Sequence, residues 1–141
     1  MTVGFCCGRS QIWSLTQKEP VLELRTKGRP VNCIDWHRWP DDGSGAGGRT
    51  GSLVASGLDF SVAVWQFGND LLTAIKPEGK PEGKTKNKIP EPRILSGHSD
   101  WIRSVVFRPD GRLLASLDDK GLLMIWSTQV FSFSPLQRSF H

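Results

Sequence analysis

Short runs of β-branched and aromatic residues recur along the chain, separated by Gly, Pro, Asp or Asn. Such runs are VLEL, VNCIDW, SLVASG, SVAVW, IRSVVF, RLLAS and LLMIW, which begin at residues 21, 31, 52, 61, 102, 112 and 122. Runs of this length and composition are typical of β-strands. No helical stripe of apolar residues continues for three turns. The pattern therefore predicts an all-β fold.

The strand pattern also repeats along the sequence. RTKGRPVNCIDW aligns with SGHSDWIRSVVF, and LVASGLDFSVAVW aligns with LLASLDDKGLLMIW. The copies end at Trp13, Trp65 and Trp126, and two insertions lengthen the spacing between them. Without the insertions the period approaches the roughly 40 to 45 residues of a four-stranded β-propeller blade.

Residues 97–127 resemble a complete WD repeat. They contain a Gly-His pair, a Pro-Asp-Gly turn, a Leu-Ala-Ser strand and a terminal Ile-Trp pair. Residues 21–66 resemble a second, degenerate copy, and residues 3–15 resemble the last part of a third. The resemblance implies a partial β-propeller of about two and a half four-stranded blades.

The resemblance also implies a chain of hydrogen-bonded side chains inside each blade. In the C-terminal copy its members would be His98, Ser116, Asp119 and Trp126, and in the second copy Ser56, Asp59 and Trp65. In the second copy Thr26-Lys27 replaces the Gly-His pair. A Ser-His-Asp catalytic triad is the alternative interpretation. Because no strained nucleophile turn such as GxSxG is present, we expect a structural role and no catalytic residue.

A candidate binding residue lies just before the strand that the resemblance makes innermost. Trp101 follows Asp100 in a loop that the family places on its binding face, and Arg29-Pro30 stand at the aligned positions of the second copy. An exposed Trp beside an Asp is suited to anchor an interface. The alternative is that Trp101 covers the edge of its own blade. We assign Trp101, Asp100, Arg29 and Pro30 to the binding of other proteins.

Positive charge is concentrated in one segment. The 18 Lys and Arg and 14 Asp and Glu give a formal net charge of +4, and residues 76–93 contribute six basic and three acidic residues, or +3. This segment includes Lys80, Lys84, Lys86 and Lys88. Its Pro, Gly and Lys content predicts a solvated loop. The alternative is contact with the phosphates of a nucleic acid or with an acidic partner, although the segment lacks aromatic residues that stack on bases.

Other chemistry has little support in the sequence. Cys6, Cys7 and Cys33 lack the paired spacing of a zinc site or a disulfide framework, and no phosphate-binding GxGxxG or GxxxxGK is present. No apolar run reaches the roughly 18 residues of a membrane span, and no secretory signal is recognisable. We therefore expect no metal, no cofactor and no membrane partner, and a cytoplasmic or nuclear location.

These patterns divide the chain into five parts. We expect the end of a preceding blade at 1–20, a degenerate blade at 21–66 with a Gly-rich insertion at 41–51, a basic loop at 67–93, a WD-repeat blade at 94–127, and a tail with up to one outer strand at 128–141.

Because about four to eight blades close a propeller, the array is expected to be a fragment or short isoform of a larger ring. Phe5, Ile12, Leu123 and Ile125 would then lie on exposed end faces, which the remaining blades or another copy of the chain would cover. The expected function is a non-catalytic scaffold or adaptor that binds proteins. The alternative is a subunit of a ribonucleoprotein or chromatin complex.

Overall fold

The all-β prediction is confirmed. The computed structural model describes residues 2–5, 8–13, 18, 20–39, 51–68, 89–128 and 135–136. These residues form eleven β-strands and no helix, and consequently none that could cross a bilayer. The strands are β1 (Thr2–Phe5), β2 (Arg9–Trp13), β3 (Pro20–Arg25), β4 (Cys33–Trp39), β5 (Gly51–Gly57), β6 (Ser61–Phe67), β7 (Arg93–Ser96), β8 (Ile102–Phe107), β9 (Leu113–Asp118), β10 (Leu123–Ser127) and β11 (Pro135–Leu136).

The strands form three antiparallel sheets. The first sheet has the order β1-β2-β3, the second β4-β5-β6-β7 and the third β8-β9-β10-β11. Each sheet is a meander, in which strands that follow one another along the chain are also hydrogen-bonded neighbours. This is the arrangement expected for propeller blades.

The sheets are offset by one strand from the sequence repeats. β3 pairs with β2 in the first sheet, and β7 pairs with β6 in the second. The boundaries expected at residues 21 and 94 are therefore corrected, because the second sheet begins at Cys33 and the third at Ile102. Each repeat thus supplies the outer strand of one sheet and the inner strands of the next, which links neighbouring sheets covalently.

Two apolar clusters hold the sheets together. The cluster between the second and third sheets contains Val62, Val64, Leu95, Ile102, Val105, Phe107, Leu114 and Trp126. The cluster between the first and second sheets contains Ile12, Leu24, Leu58, Ala63, Trp65 and Phe67. Alternate residues of β6 enter opposite clusters, because successive side chains of a strand point to opposite faces. The second sheet is therefore covered on both sides.

The end faces differ in part from the expectation. Ile12 is buried between the first and second sheets, so its assignment to an exposed end face is wrong. The alternation of β2 turns Ser10 and Ile12 inward and leaves Gln11 and Trp13 on the outer face. Leu123 and Ile125 are half-buried on the face of the third sheet that lies away from the second. The side chain of Phe5 lies outside the described residues.

Candidate interaction site

A buried chain of polar side chains crosses the third sheet. His98, in the connection between β7 and β8, has its Nε2 2.7 Å from Ser116 Oγ on β9. The indole Nε1–H of Trp126 on β10 donates to the same oxygen over 2.8 Å. On its other side, His98 Nδ1 lies 3.0 Å from Asp118 Oδ2. The structure thus joins a loop and two strands through four side chains.

The partners determine the direction of these hydrogen bonds. An indole N–H can only donate, so Ser116 Oγ accepts from Trp126 and is left with its own proton to give. It donates that proton to His98 Nε2, and His98 Nδ1–H in turn donates to the Asp118 carboxylate. The network therefore assigns His98 the tautomer protonated on Nδ1. Each polar atom of the four side chains in this network therefore has a hydrogen-bond partner.

The aspartate in this hydrogen-bond network is Asp118. The expectation that it would be Asp119 is corrected. Asp118 Oδ1 also accepts the backbone N–H groups of Lys120 and Leu122, which closes the turn between β9 and β10. Burial raises the pKa of Asp118, but these backbone donors and His98 outweigh it and hold the pKa below its ordinary value. Asp119 instead pairs with Arg103 at the surface.

The sequence contained a signal for Asp118. Residues two apart on a strand share a face, so Ser116 and Asp118 point to the same side of β9. Asp119 follows the end of the strand, where its side chain is partly exposed. The turn between β9 and β10 is one residue longer than the turn between β5 and β6, which shifts the aspartate relative to the Trp at the end of the copy.

The Ser-His-Asp geometry is closed to a substrate. The relative exposure of Ser116 is 1%, and the side chains of His98 and Asp118 are fully buried. Ser116 Oγ is already occupied by the Trp126 indole. A reacting carbonyl could approach this hydroxyl only if the blade opened. In this geometry the arrangement connects strands and offers no nucleophile to solvent.

The second sheet replaces this polar chain with apolar packing. Leu58, two residues after Ser56, stands where Asp118 stands in the third sheet, and it is fully buried. Thr26 is buried and Lys27 is exposed, so neither supplies an imidazole. The Ser56 side chain lies outside the described residues. Trp65 is buried in the apolar cluster. An aspartate at position 58 would lack a histidine partner here, and burying it would be costly.

Asp59 takes part in a different connection. Arg29, in the loop between β3 and β4, donates from Nη1 to Ser61 Oγ over 2.8 Å, and the same nitrogen lies 3.7 Å from Asp59 Oδ1. This contact ties the incoming loop to the turn between β5 and β6. The Arg29 side chain is half exposed, so the tie lies at the surface. Pro30, also assigned to binding, is half-buried in the same loop.

Phe60 and Trp101 form an exposed aromatic patch. Their relative exposures are 48% and 45%, and their ring centroids lie 6.4 Å apart at an interplanar angle of 71°. Phe60 belongs to the turn between β5 and β6, and Trp101 precedes β8, so the patch bridges the second and third sheets. Phe60 was not among the binding residues predicted from the sequence. Its position immediately after Asp59, as Trp101 follows Asp100, was the available signal.

Charged pairs surround the aromatic patch. Asp59 accepts the backbone N–H of Phe60 over 2.9 Å, and Asp100 accepts that of Trp101 over 2.8 Å. Asp100 also lies 3.5 Å from the Lys120 ammonium. A cleft of about 530 Å³ continues beside Trp101 and is lined by Val31, Asn32, Trp101, Ile102, Arg103 and Asp119. The site is an apolar centre with a rim of paired charges.

The remaining sequence assignments concern metal ligands and the basic loop. Lys80, Lys84, Lys86 and Lys88 lie outside the described residues. Among the residues that are described, no group of three or more His, Cys, Asp or Glu could hold a metal ion. Cys33 packs partly buried against the apolar cluster, and burial raises the pKa of its thiol.

Comparison with known proteins identifies the repeat. Residues 90–127 match the family described as WD domain, G-beta repeat. The chain therefore contains a segment that is similar to a WD repeat. This segment includes β7 together with β8–β10, so the repeat and the sheet are offset by one strand. Members of the family are generally non-catalytic interaction modules.

Three curated relatives contain similar sequence. The chain is 29% identical over 85 residues to Protein HIR1 of Kluyveromyces lactis and 27% identical over 90 residues to Nuclear distribution protein PAC1 of Komagataella phaffii. It is 28% identical over 79 residues to Protein transport protein SEC13 of Mycosarcoma maydis. The alignments cover 60%, 62% and 53% of this chain, but only 10%, 17% and 18% of the relatives.

A solved structure has the same fold. A chain in "Crystal Structure of Mitotic Checkpoint Complex" superposes with a TM-score of 0.62 and 18% sequence identity. The match covers 96% of this chain and 32% of the chain in that structure. At this identity the likeness shows the fold alone, and the fold is that of a partial propeller.

Proposed function

We propose that this chain is a non-catalytic protein-interaction module, a scaffold or adaptor of the cytoplasm or nucleus, whose contact site is the aromatic patch. The observation that carries the proposal is the T-shaped contact of two large rings that are each nearly half exposed. Interfaces bind mainly through a few aromatic anchors, and Trp is the most enriched of them.

The surroundings of the patch support the same function. Protein interfaces commonly combine an apolar centre with a polar, solvent-accessible rim. Here the rim consists of Arg29 with Asp59, Lys120 with Asp100, and Arg103 with Asp119. Exposed ion pairs contribute little to stability. Charged groups of a partner could therefore replace one member of such a pair at a small cost in free energy. A partner that inserts an apolar side chain between these charges fits the site best.

A nucleic-acid function has less support. It depends on the lysines between residues 76 and 93, and no contact of the described residues favours it. The two functions differ in their response to salt. Binding through phosphate contacts should weaken steeply as salt increases, whereas binding through two aromatic rings should change little.

The test compares three variants of the chain. Trp101→Ala and Phe60→Ala each remove one ring of the patch, and Ile94→Ala truncates a similarly exposed side chain on β7. Proteins captured from a cell extract by the unmodified chain would be identified and the binding of each then measured separately. We expect Trp101→Ala to weaken such binding by roughly 30-fold or more, since anchor residues contribute about 2 kcal/mol or more.

The control separates the patch from exposed apolar surface in general. Ile94→Ala should leave binding within about twofold of the unmodified chain, because most interface-independent truncations are energetically near neutral. The proposed site is wrong if all three variants bind the captured proteins equally. A steep loss of binding between low and high salt would instead favour phosphate contacts.

A further inference from the structure

Ser96, the last residue of β7, is an exposed serine beside an arginine from another part of the chain. It lies directly opposite Ser61 of β6. Directly opposed residues of antiparallel strands share a face of the sheet, and their Cβ atoms are about 4.5–5.5 Å apart. The Ser61 hydroxyl accepts a hydrogen bond from Arg29 Nη1 over 2.8 Å. The guanidinium of Arg29 is therefore a close neighbour of the Ser96 side chain.

A cleft between the first and second sheets brings further positive charge to this face of β7. Ile94 shares the face with Ser96, because residues two apart on a strand point the same way. Ile94 lines a cleft of about 160 Å³. Three cations and one carboxylate also line this cleft, namely Arg25, Lys27, Arg29 and Glu91. An anionic group attached to Ser96 would therefore lie beside an excess of positive charge.

We infer that Ser96 is a phosphorylation site and that Arg29 binds the phosphate group. The Arg29 side chain is half exposed, and its Nη1 lies 3.7 Å from Asp59 Oδ1, which is longer than a hydrogen bond. A guanidinium carries five N–H donors, so Arg29 can bind phosphate oxygens while it keeps its bond to Ser61. A phosphate with a charge near −2 also competes well with the single charge of Asp59.

The phosphoryl donor is ATP, and the catalyst is a protein kinase. Ser96 Oγ bonds to the γ-phosphorus, the bond from that phosphorus to the bridging oxygen breaks, ADP leaves, and the hydroxyl proton passes to a base of the kinase. Kinases select acceptors by the charge pattern around them. Arg93 stands three residues before Ser96 and is exposed, so we expect a kinase that selects arginine at this spacing. Ser96 also ends a four-residue strand at the edge of its sheet, where local opening costs least.

Phosphorylation of the full chain in vitro tests the acceptor. The folded chain is incubated with ATP and a kinase that selects arginine three residues before the serine, and the modified residues are located by mass spectrometry of peptides. We expect phosphate on Ser96 and none on Ser99, which is also exposed but has no arginine at that spacing. A product without phosphate on Ser96 would overturn the inference.

Phosphorus nuclear magnetic resonance of the product tests the contact with a cation. The second pKa of a phosphoserine is about 6, and a neighbouring guanidinium lowers this pKa because it favours the dianion. We expect the pKa in the folded chain to lie roughly 0.5 units or more below the pKa of the same sample unfolded in urea. This comparison requires no substitution. Equal pKa values in the two states would show that no cation binds the phosphate and would overturn the inference.

Two arginine variants identify the cation. Arg29→Ala removes the guanidinium beside Ser96, so the second phosphoserine pKa should rise to its value in the unfolded chain. Arg108→Ala is the matched control, because the Arg108 side chain is 60% exposed, against 50% for Arg29, and also lies near a carboxylate, that of Asp110. Arg108 follows β8 in the third sheet, and its removal should leave the pKa unchanged. A pKa that stayed low in Arg29→Ala would assign the phosphate to another cation, and the inference would be wrong.

Discussion

His98 is held in place by a hydrogen bond from each side. Its two ring nitrogens contact Ser116 and Asp118, and its side chain has no exposure to solvent. A neutral imidazole has one donor and one acceptor, and both are used. At the scale of the residue, the role of His98 is to give buried polar groups their hydrogen-bond partners. Removing only one partner of such a bond lowers stability most, because the other partner stays buried without a bond.

Replacing His98 by alanine tests this role. His98→Ala leaves Ser116 and Asp118 buried with one partner fewer, so we expect the free energy of unfolding to fall by about 1–3 kcal/mol. Urea denaturation followed by tryptophan fluorescence would measure it. Ser99→Ala, at the exposed neighbouring position, should change stability by less than about 0.5 kcal/mol. Equal stability of both variants would contradict the structural role.

Asp118 predicts how stability depends on pH. The pKa of its carboxyl is lower in the folded chain than its ordinary value of 3.8, so the unfolded chain binds the proton more tightly. The stability that Asp118 contributes is therefore present above pH 3.8 and is lost as the pH falls through the lower, folded-state pKa. Asp118→Asn cannot titrate. Its stability deficit relative to the unmodified chain should narrow on acidification, and a deficit that widened would refute the assignment.

At the scale of the strand, β4 and β8 are coupled by a single carboxylate. Asp35 Oδ2 on β4 accepts the backbone N–H of Phe107, at the end of β8, over 2.6 Å. The two strands belong to different sheets, which also meet through apolar side chains and through the hydrogen bond from the Ile102 N–H to the Asp59 carbonyl. Asp35 thus provides an acceptor for the Phe107 N–H, which has none on the strands of the third sheet.

Substitution of Asp35 should separate the hydrogen bond from the charge. Asp35→Ala leaves the Phe107 N–H without this acceptor, and we expect a loss of about 1–3 kcal/mol in the free energy of unfolding. Asp35→Asn keeps an acceptor oxygen and should cost less. Thermal unfolding of both variants would rank them. An asparagine variant as unstable as the alanine variant would show that the negative charge, rather than the acceptor, is what β8 requires.

At the scale of the whole molecule, the second and third sheets are in close contact at Gly57. A Cβ atom there would lie 2.8 Å from Ile102 Cγ2 and would also overlap Cys33 Sγ. Glycine at the end of β5 therefore permits the close contact of two sheets, without any need for an unusual backbone conformation. The same contact explains why Cys33 is a packing residue whose thiol has a raised pKa.

Gly57→Ala should therefore loosen the contact between the sheets. We expect a loss of about 1–3 kcal/mol in the free energy of unfolding, as for other overpacked sites. Cys33→Ala removes one of the two overlapping neighbours, so Gly57→Ala should cost less in that background. A double-mutant cycle in urea would measure the difference. Purely additive effects would show that Cys33 and Gly57 do not share this space.

Strand periodicity and residue identity determined much of this protein from the sequence alone. Alternating β-branched and aromatic residues predicted the all-β fold and the repeat, because side-chain alternation is a local property of each strand. The matched repeat also placed His98, Ser116 and Trp126 in one blade. The resemblance also implied that Trp101 lies in a loop on the binding face.

Tertiary structure decided what depends on contacts between distant segments. Turn length selected Asp118 over Asp119, strand pairing placed β7 in the second sheet, and the facing sheet decided that Ile12 is buried. The pairing of Phe60 with Trp101 depends on two sheets meeting at one edge. A sequence pattern states which face of a strand is apolar, but which surface covers that face is set by packing between segments far apart in the chain.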